Sequence, residues 1–483
     1  MSRTHRLEVI GSDSPLVGLR RRRLGFAEVL AQSVAAVAPS AAAVTLPGIV
    51  IGLAGGAAVV AFLVAGLVVI LVGLCVTVFA RRMASASGLY SYVAKALGPW
   101  GAFTAGWSVM VGYAGAAMAS AFGGGVYLLR LIGVSDRGPL LAASVVGVGV
   151  IAAALMVRGI KISARVSLVL EVLSVALVIT ILLTMLLSQP THGGDGPGPR
   201  ASFDGFALGV LLAVTAFVGF ESSGTLGAES RNPFTSVPRA LIWTPIVLAL
   251  LFVGAAAIQS ALFTGQPSSL LGGGVPVADL AQQQDRALLG RLLDLGILTS
   301  WLACLVGSSN ALVRILLSMG REGACPSWLG RTHPRYGTPA PAIAVTMPVI
   351  AAVPLLVMIN ETSVVDVFVD VLTLSAYGYL VAYGLVCIAA PVFLRRIGEL
   401  TSSVLVVGAV SFLGILFLVG WTIAIQGIGH GGFVITYGGL MTVGWLRLAY
   451  LAVRHPAVLA SVGVYDEPVT GDLLVVEDTR TQP

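Results

Sequence analysis

Ala35-Ala-Val-Ala-Pro39-Ser40-Ala-Ala-Ala43 and Phe217-Val-Gly219-Phe-Glu221-Ser-Ser-Gly224 are the two stretches that decide the fold of this chain. Each lies inside a hydrophobic run long enough to cross a bilayer, and each carries residues that weaken a helix near its middle. A helix in hydrocarbon satisfies every backbone group internally, so a break is sustained only where the freed groups are buried in protein or line a cavity. Broken helices at matching places in two halves of a chain are a pointer to the substrate site of a carrier.

Composition agrees with a membrane location. Of 483 residues, 57% are hydrophobic and only 10% charged, too little polar surface for soluble domains, so an integral membrane protein is expected. The 59 glycines suit membrane helices, whose close approach depends on small residues. Cys75, Cys304, Cys325 and Cys387 are scattered singly, without zinc-ligand or disulfide spacing, and read as packing residues. Residues 1–24 form a polar, basic tail with no apolar core before a cleavage site, so the first membrane helix is expected to serve as its own insertion signal.

Apolar stretches of roughly 20 residues, enough for about 30 Å of hydrocarbon, lie near 27–53, 57–80, 101–131, 139–157, 164–187, 206–227, 239–263, 292–319, 340–358, 366–394, 402–426 and 432–453. They predict an all-α protein of twelve transmembrane helices within residues 25–456, followed by a disordered cytoplasmic tail over 457–483. The cations test this count, since cytoplasmic loops are enriched in Lys and Arg. One set of alternate loops holds Arg20 to Arg23, Arg81, Arg82, Lys95, Arg158, Lys161, Arg165, Arg231, Arg239, Arg321, Arg331, Arg335, Arg395, Arg396, Arg447 and Arg454. The other holds only Arg130, Arg137, Arg200, Arg286 and Arg291. This asymmetry predicts an even number of spans with both termini in the cytoplasm, and Gln189–Ser202 and Gly265–Gln284 as outer loops. It also explains the net charge of +6 without nucleic acid, because the cations form no aromatic-rich patch. Arg20 to Arg23 can also touch anionic lipid.

Pro39 cannot donate a hydrogen bond and disfavours helical geometry at Ala38, while Ser40 and three alanines leave the backbone approachable. The competing reading is an ordinary proline kink. In the sixth span Gly219 and Gly224 flank Glu221. An intramembrane acid costs about 2.5 to 3.5 kcal/mol on insertion scales, so it is a functional candidate by default; the alternative is a neutral acid that holds helices together. A broken helix exposes N–H groups on one half and C=O groups on the other, a pairing that suits a zwitterion.

The chain resembles the amino acid, polyamine and organocation (APC) superfamily of secondary carriers. The resemblance is carried by Phe217-Val-Gly-Phe-Glu221, by Leu226-Gly-Ala-Glu229-Ser-Arg231-Asn232-Pro233, and by Val237-Pro238-Arg239-Ala240. Ser87-Gly-Leu-Tyr-Ser-Tyr92 with Leu97-Gly98, and Met319-Gly-Arg321-Glu-Gly323 with Pro326, add to it. It runs from about Gly25 to Arg396. The resemblance implies a five-plus-five inverted repeat with discontinuous helices 1 and 6 and two further C-terminal helices. It implies a substrate site at Ala38, Ser40, Ala41, Ala42, Phe217, Gly219, Phe220 and Glu221. The amides of Ser40, Ala41 and Ala42 would receive a substrate carboxylate, carbonyls near Phe217 and Gly219 would take its amine, and Phe217 would gate.

Glu171 and Ser174, three apart, share a helical face in the fifth span. Proton-coupled relatives carry a lysine at about the position of Ser174, so Glu171 stands here as a coupling candidate, with a structural hydrogen bond as the alternative. Ser308 and Ser309 match hydroxyl positions that help ligate sodium in sodium-coupled carriers of this fold. Asn310 and Arg314, four apart, face the bundle as packing or gate residues, and Asp366 and Asp370 share a face near the outer mouth.

His5, His192, His333, His430 and His455 lie in terminal or loop regions without metal-ligand or nucleophile–base spacing. No metal, cofactor or catalytic residue is therefore expected. The resulting expectation is a multi-pass permease of the cytoplasmic membrane for an amino acid or amine, using a proton or counter-substrate. A polyamine or organic-cation carrier, a sodium-coupled carrier of the same fold, and a transport-inactive sensor are the alternatives. A carrier of the major facilitator type fits less well, because Arg81-Arg-Met-Ala-Ser-Ala-Ser-Gly88 lacks the acidic residue of that family's loop signature.

Overall fold

Apolar runs in a membrane fold as helices because each helix closes its own backbone hydrogen bonds. The computed structural model describes residues 24–134, 138–187, 202–263, 277, 280, 287–360, 363–430 and 432–463. Helices α1 (Phe26–Val37), α2 (Pro39–Ala54), α3 (Ala58–Ala80), α4 (Leu89–Leu131), α5 (Pro139–Arg158), α6 (Ile160–Leu187) and α7 (Phe203–Thr215) lead to a 3-10 helix, Phe220–Glu229. Then follow α8 (Pro233–Phe263), α9 (Ala287–Arg321), α10 (Ala340–Asn360), α11 (Val364–Arg396), α12 (Ser402–His430), α13 (Gly432–Arg454) and the short α14 (Pro456–Ser461). Among the described residues there is no strand, only a bridge between Leu24 and Ser230.

Ten segments of the described residues are long and apolar enough to cross a membrane. The first, Phe26–Ala80, takes in two of the twelve stretches expected from sequence, and α13 is not among the ten. The chain is thus an all-helical, multi-pass membrane protein. Its exterior is correspondingly apolar: Leu67, Val150, Leu250, Leu356, Leu413 and Leu446 are exposed, whereas Ser40, Glu171, Ser300 and Ser308 are fully buried. Burial of polar groups inside and of leucine outside is the arrangement lipid selects, since apolar contact between helices gains nothing over contact with acyl chains.

The most extensive helix pair is α4 with α11. Small residues bring their backbones together at Gly112 and Gly378, where a Cβ on Gly378 would lie 2.3 Å from the Gly112 nitrogen. Two serines tie the same seam: Ser108 Oγ donates to the Gly378 carbonyl at 2.7 Å and Ser375 Oγ to the Gly112 carbonyl at 2.8 Å. Interhelical hydrogen bonds of this kind contribute about 0.6 to 2 kcal/mol each. Within α4 itself, Gly98 (φ 72°, ψ −168°) interrupts the helix just before Pro99, so a short N-terminal arm, starting at Leu89, meets the long span at an angle.

The ends of the broken elements are pinned together. Leu24 N donates to Glu229 O at 3.1 Å and Arg231 N to Leu24 O at 2.8 Å. Arg165 pairs with Glu28 at 2.6 Å, and the buried Arg314 with Glu229 at 2.8 Å. Near the same end, Gly463 N donates to Glu322 Oε1 at 3.0 Å and the Tyr90 hydroxyl donates to Glu322 Oε2. Disorder was expected from residue 457, yet α14 and the buried Val462 fall in that segment. The N-terminal tail to Arg23, Gln189 to Ala201, most of Gly265–Gln284, and residues 464–483 lie outside the described residues.

Gly378→Val would force the α4–α11 seam apart. The expected result is a fall in the apparent melting temperature in detergent equivalent to about 1 to 3 kcal/mol, with membrane insertion retained, as measured by fluorescence thermal unfolding and membrane fractionation.

Candidate functional site

The first hydrophobic span breaks where its sequence says it must. α1 ends at Val37, and Ala38 takes the left-handed conformation (φ 55°, ψ 59°) before Pro39 opens α2. Ala38 is the one non-glycine residue with positive φ among those described. The left-handed region costs an L-residue roughly 1 to 2 kcal/mol, and such strain persists only where surrounding contacts over-determine it. In the sixth span α7 ends at Thr215, Gly219 sits at φ 97°, and the 3-10 helix starts at Phe220.

The two breaks lie against each other. A Cβ on Gly219 would stand 2.7 Å from the Ala36 carbonyl oxygen, so only glycine allows this approach. Ser33 Oγ donates to Phe220 O at 2.6 Å and Ser222 Oγ to Gln32 O at 3.2 Å. From α9, Cys304 Sγ and Ser308 Oγ both donate to Ala36 O, at 3.1 and 3.3 Å. Gln32 Nε2 returns a bond to Gly307 O at 2.8 Å. From α8, Gln259 Nε2 donates to Ala43 O at 2.7 Å.

The amides at the start of α2 are already engaged. Ser40 N donates to Glu171 Oε1 at 2.8 Å, Ala41 N to Ser300 Oγ at 3.2 Å, and Ala42 N to Ala38 O at 2.9 Å. The same Glu171 oxygen accepts the Ser40 hydroxyl and, at 2.9 Å, the Ser300 hydroxyl. Three donors thus converge on Oε1, while Oε2 is buried with no protein partner. A carboxylate on the first turn of a helix is stabilised by the free N–H groups and the helix dipole together. Ser174, one turn along, donates instead to Gly296 O at 2.6 Å.

Glu221 occupies a different environment. Its Oε1 accepts from Tyr113 of α4 at 2.7 Å and its Oε2 from Tyr383 of α11. Both phenols are fully buried, and Tyr379 packs edge-on against Tyr113 at 5.2 Å between centroids. Tyrosine hydroxyls can donate or accept, so this clamp accommodates either charge state of the acid. Phe217 is fully buried and meets Phe252 edge to face, 5.0 Å between centroids.

Sequence reading therefore named the residues of both breaks and both acids. The structure brings Ser40, Glu171 and Ser300 together, and separately Glu221 with Tyr113 and Tyr383. Ser309 Oγ is buried without a protein partner. Asn310 is also buried, and Arg314 also donates to Thr225 O at 3.2 Å. Asp366 lies at the N-terminus of α11, where its amide is capped by Ser363 Oγ at 3.1 Å. Ser300, Tyr113, Tyr383 and Gln259 were missed: each is an unremarkable polar residue in an apolar helix until the fold sets it beside a break. Among the described residues no group of three or more His, Cys, Asp or Glu is placed to hold a metal.

Residues 28–455 match the sequence profile of a family described as amino acid permease. The chain is similar to a branched-chain amino acid permease, BcaP, of Lactococcus lactis subsp. cremoris, 29% identical over 314 residues, 60% of this chain and 67% of that one. The Bacillus subtilis BcaP is 24% identical over 302 residues, covering 59% and 64%. A low-affinity putrescine importer, PlaP, of Escherichia coli K12 is 26% identical over 319 residues, covering 61% and 66%. The chain thus spans about two thirds of the length of these relatives.

Gly219→Ala meets both a forbidden φ and the Ala36 carbonyl, whereas Ala38→Gly relieves strain. The first should lower the apparent melting temperature by the equivalent of about 1 to 3 kcal/mol; the second should leave it unchanged or higher. Thermal unfolding of the two purified variants checks the contrast.

Proposed function

Because the chain belongs to the amino acid permease family, we propose that it is a secondary active transporter of amino acids or related amines. It works by alternating access in the cytoplasmic membrane, with proton-coupled symport or exchange. The proposal includes twelve crossings, both termini in the cytoplasm, and an inverted five-plus-five repeat whose first and sixth helices are the broken ones. The cation asymmetry supports the orientation. The mutual contact of two broken helices supports a substrate site between them. The branched-chain permeases and the putrescine importer support a small amino acid or amine as cargo.

One observation carries the mechanistic part. A fully buried carboxyl, Glu171, is bonded at once to the second half of the broken first helix and to α9 through Ser300. Such a group can gate movement, because its charge-assisted bonds to the Ser40 amide and hydroxyl weaken when it takes a proton. Freed of that anchor, α2 can rotate against α9 while the scaffold helices α4 and α11 stay joined. Glu221, held between one tyrosine on each of those scaffold helices, is the second titrating group and faces the other break. Substrate binding and proton movement then share the same two breaks, and the cycle needs no cofactor.

Glu171→Gln and Glu221→Gln keep side-chain shape but remove the ionisable proton. In proteoliposomes, uptake driven by an imposed proton gradient should fall at least tenfold in each variant, with unfolding temperature and insertion close to wild type. Normal uptake with unchanged pH dependence in both variants would sink this assignment.

A further inference from the structure

In a carrier with a broken first helix, the N-terminal amides of the second half are where a substrate carboxylate would dock, since they are free donors at a positive dipole end. Here that position is taken by the protein itself. Glu171 places its carboxyl on the Ser40 amide at 2.8 Å, backed by the hydroxyls of Ser40 and Ser300. The next amide, Ala41 N, is bound to Ser300. We propose that Glu171 is a tethered carboxylate that fills the anion subsite at the start of α2, so that the transported molecule is an amine lacking an α-carboxylate.

Three further features point the same way. First, the subsite is built: α2 is 16 residues long, Glu171 is fully buried, and its second oxygen, Oε2, has no protein partner although it too is buried. A free carboxylate brought to this place would find its donors occupied and, while Glu171 is ionised, would meet a like charge. Second, the other break holds a second buried acid, Glu221, whose side-chain partners are neutral tyrosine hydroxyls. Third, no ion pair among the described residues includes Glu171 or Glu221, and the one buried Lys or Arg among them, Arg314, is paired with Glu229. Buried carboxylates without a counter-cation are unfavourable. An ammonium group entering between the breaks supplies the missing charge, whereas a zwitterion brings a carboxylate for which both natural donors are already spoken for.

The inference rests on the transporter reading above, and the test separates the two. Wild-type protein in proteoliposomes is offered matched pairs that differ only by the carboxylate: 3-methylbutylamine and leucine, 1,4-diaminobutane and ornithine, agmatine and arginine. At least one amine should accumulate tenfold or more above its amino acid partner. In exchange assays without a proton gradient, Glu171→Ala, which empties the subsite, should narrow or reverse that preference, and Glu171→Gln, which still occupies the space, should not admit the amino acid. Preferential uptake of the amino acid in every transported pair, or a preference for the amine that Glu171→Ala leaves unchanged, overturns the subsite assignment while leaving the transporter reading standing. Failure of folded wild-type protein to take up any member overturns both. The wild-type preference is read without any variant, so misfolding of Glu171→Ala does not remove the test.

Discussion

A helix broken inside an apolar bundle frees polar backbone groups that lipid cannot receive, and the rest of this molecule is arranged around receiving them. Ala38 in the left-handed region and Gly219 at φ 97° create the two breaks. Ala36 O is then taken by Cys304 and Ser308, Phe220 O by Ser33 and Ser40 N by Glu171, while Ala43 O, left without its i+4 donor by Pro47 within α2, is taken by Gln259. A buried group left unpaired costs about 1 to 3 kcal/mol, so several such groups together outweigh the roughly 1 to 2 kcal/mol of strain at Ala38. The polar side chains that satisfy the breaks therefore matter more to the fold than the torsional cost of making them.

Those partners come from different directions. α6 and α9 supply the groups on the first break, α4 and α11 those on the acid of the second. The α4–α11 pair is locked by backbone contact at Gly112 and Gly378 and by two serine–carbonyl bonds, so it is suited to act as the fixed part. The α1–α9 contact has a close backbone approach of its own, a Cβ on Gly307 standing 2.7 Å from the Ala36 nitrogen, and adds hydroxyl, thiol and amide side chains on carbonyls. The side-chain bonds among these can be exchanged for bonds to water or ligand, a property a moving element needs.

The buried Arg314–Glu229 pair, with the Leu24 backbone bonds beside it, closes one end of both broken helices. Desolvation offsets much of the attraction in a buried pair, so its contribution is better understood as fixing which ends meet than as stabilising the bundle. Glu171 differs from Glu229 in having no cationic partner among the described residues. Its charge is met by hydroxyls and by a helix terminus, a weaker and more reversible setting than a guanidinium.

Membrane insertion, helix positions, the two breaks and the two acids could be read from the chain alone, because they depend on local properties. Runs of apolar residues, Pro39 after three near-featureless alanines and valine, glycines around Glu221, and the loop cations each act where they stand. The glycine-to-carbonyl approach at Gly219 and Ala36, the choice of Tyr113 and Tyr383 as the clamp on Glu221, and Ser300 as the link to α9 were not legible, since each joins residues from separate helices and none has a distinctive local pattern. The same holds for the amides of Ser40 and Ala41. Their freedom at a helix start follows from sequence, but that Ser40 N binds the Glu171 carboxyl and Ala41 N the Ser300 hydroxyl depends on how α6 and α9 lie against α2. Sequence determines which backbone groups are released; only the tertiary packing decides what satisfies them, because a hydrogen bond requires its partner within about 3 Å and the chain brings Glu171 there from 131 residues away.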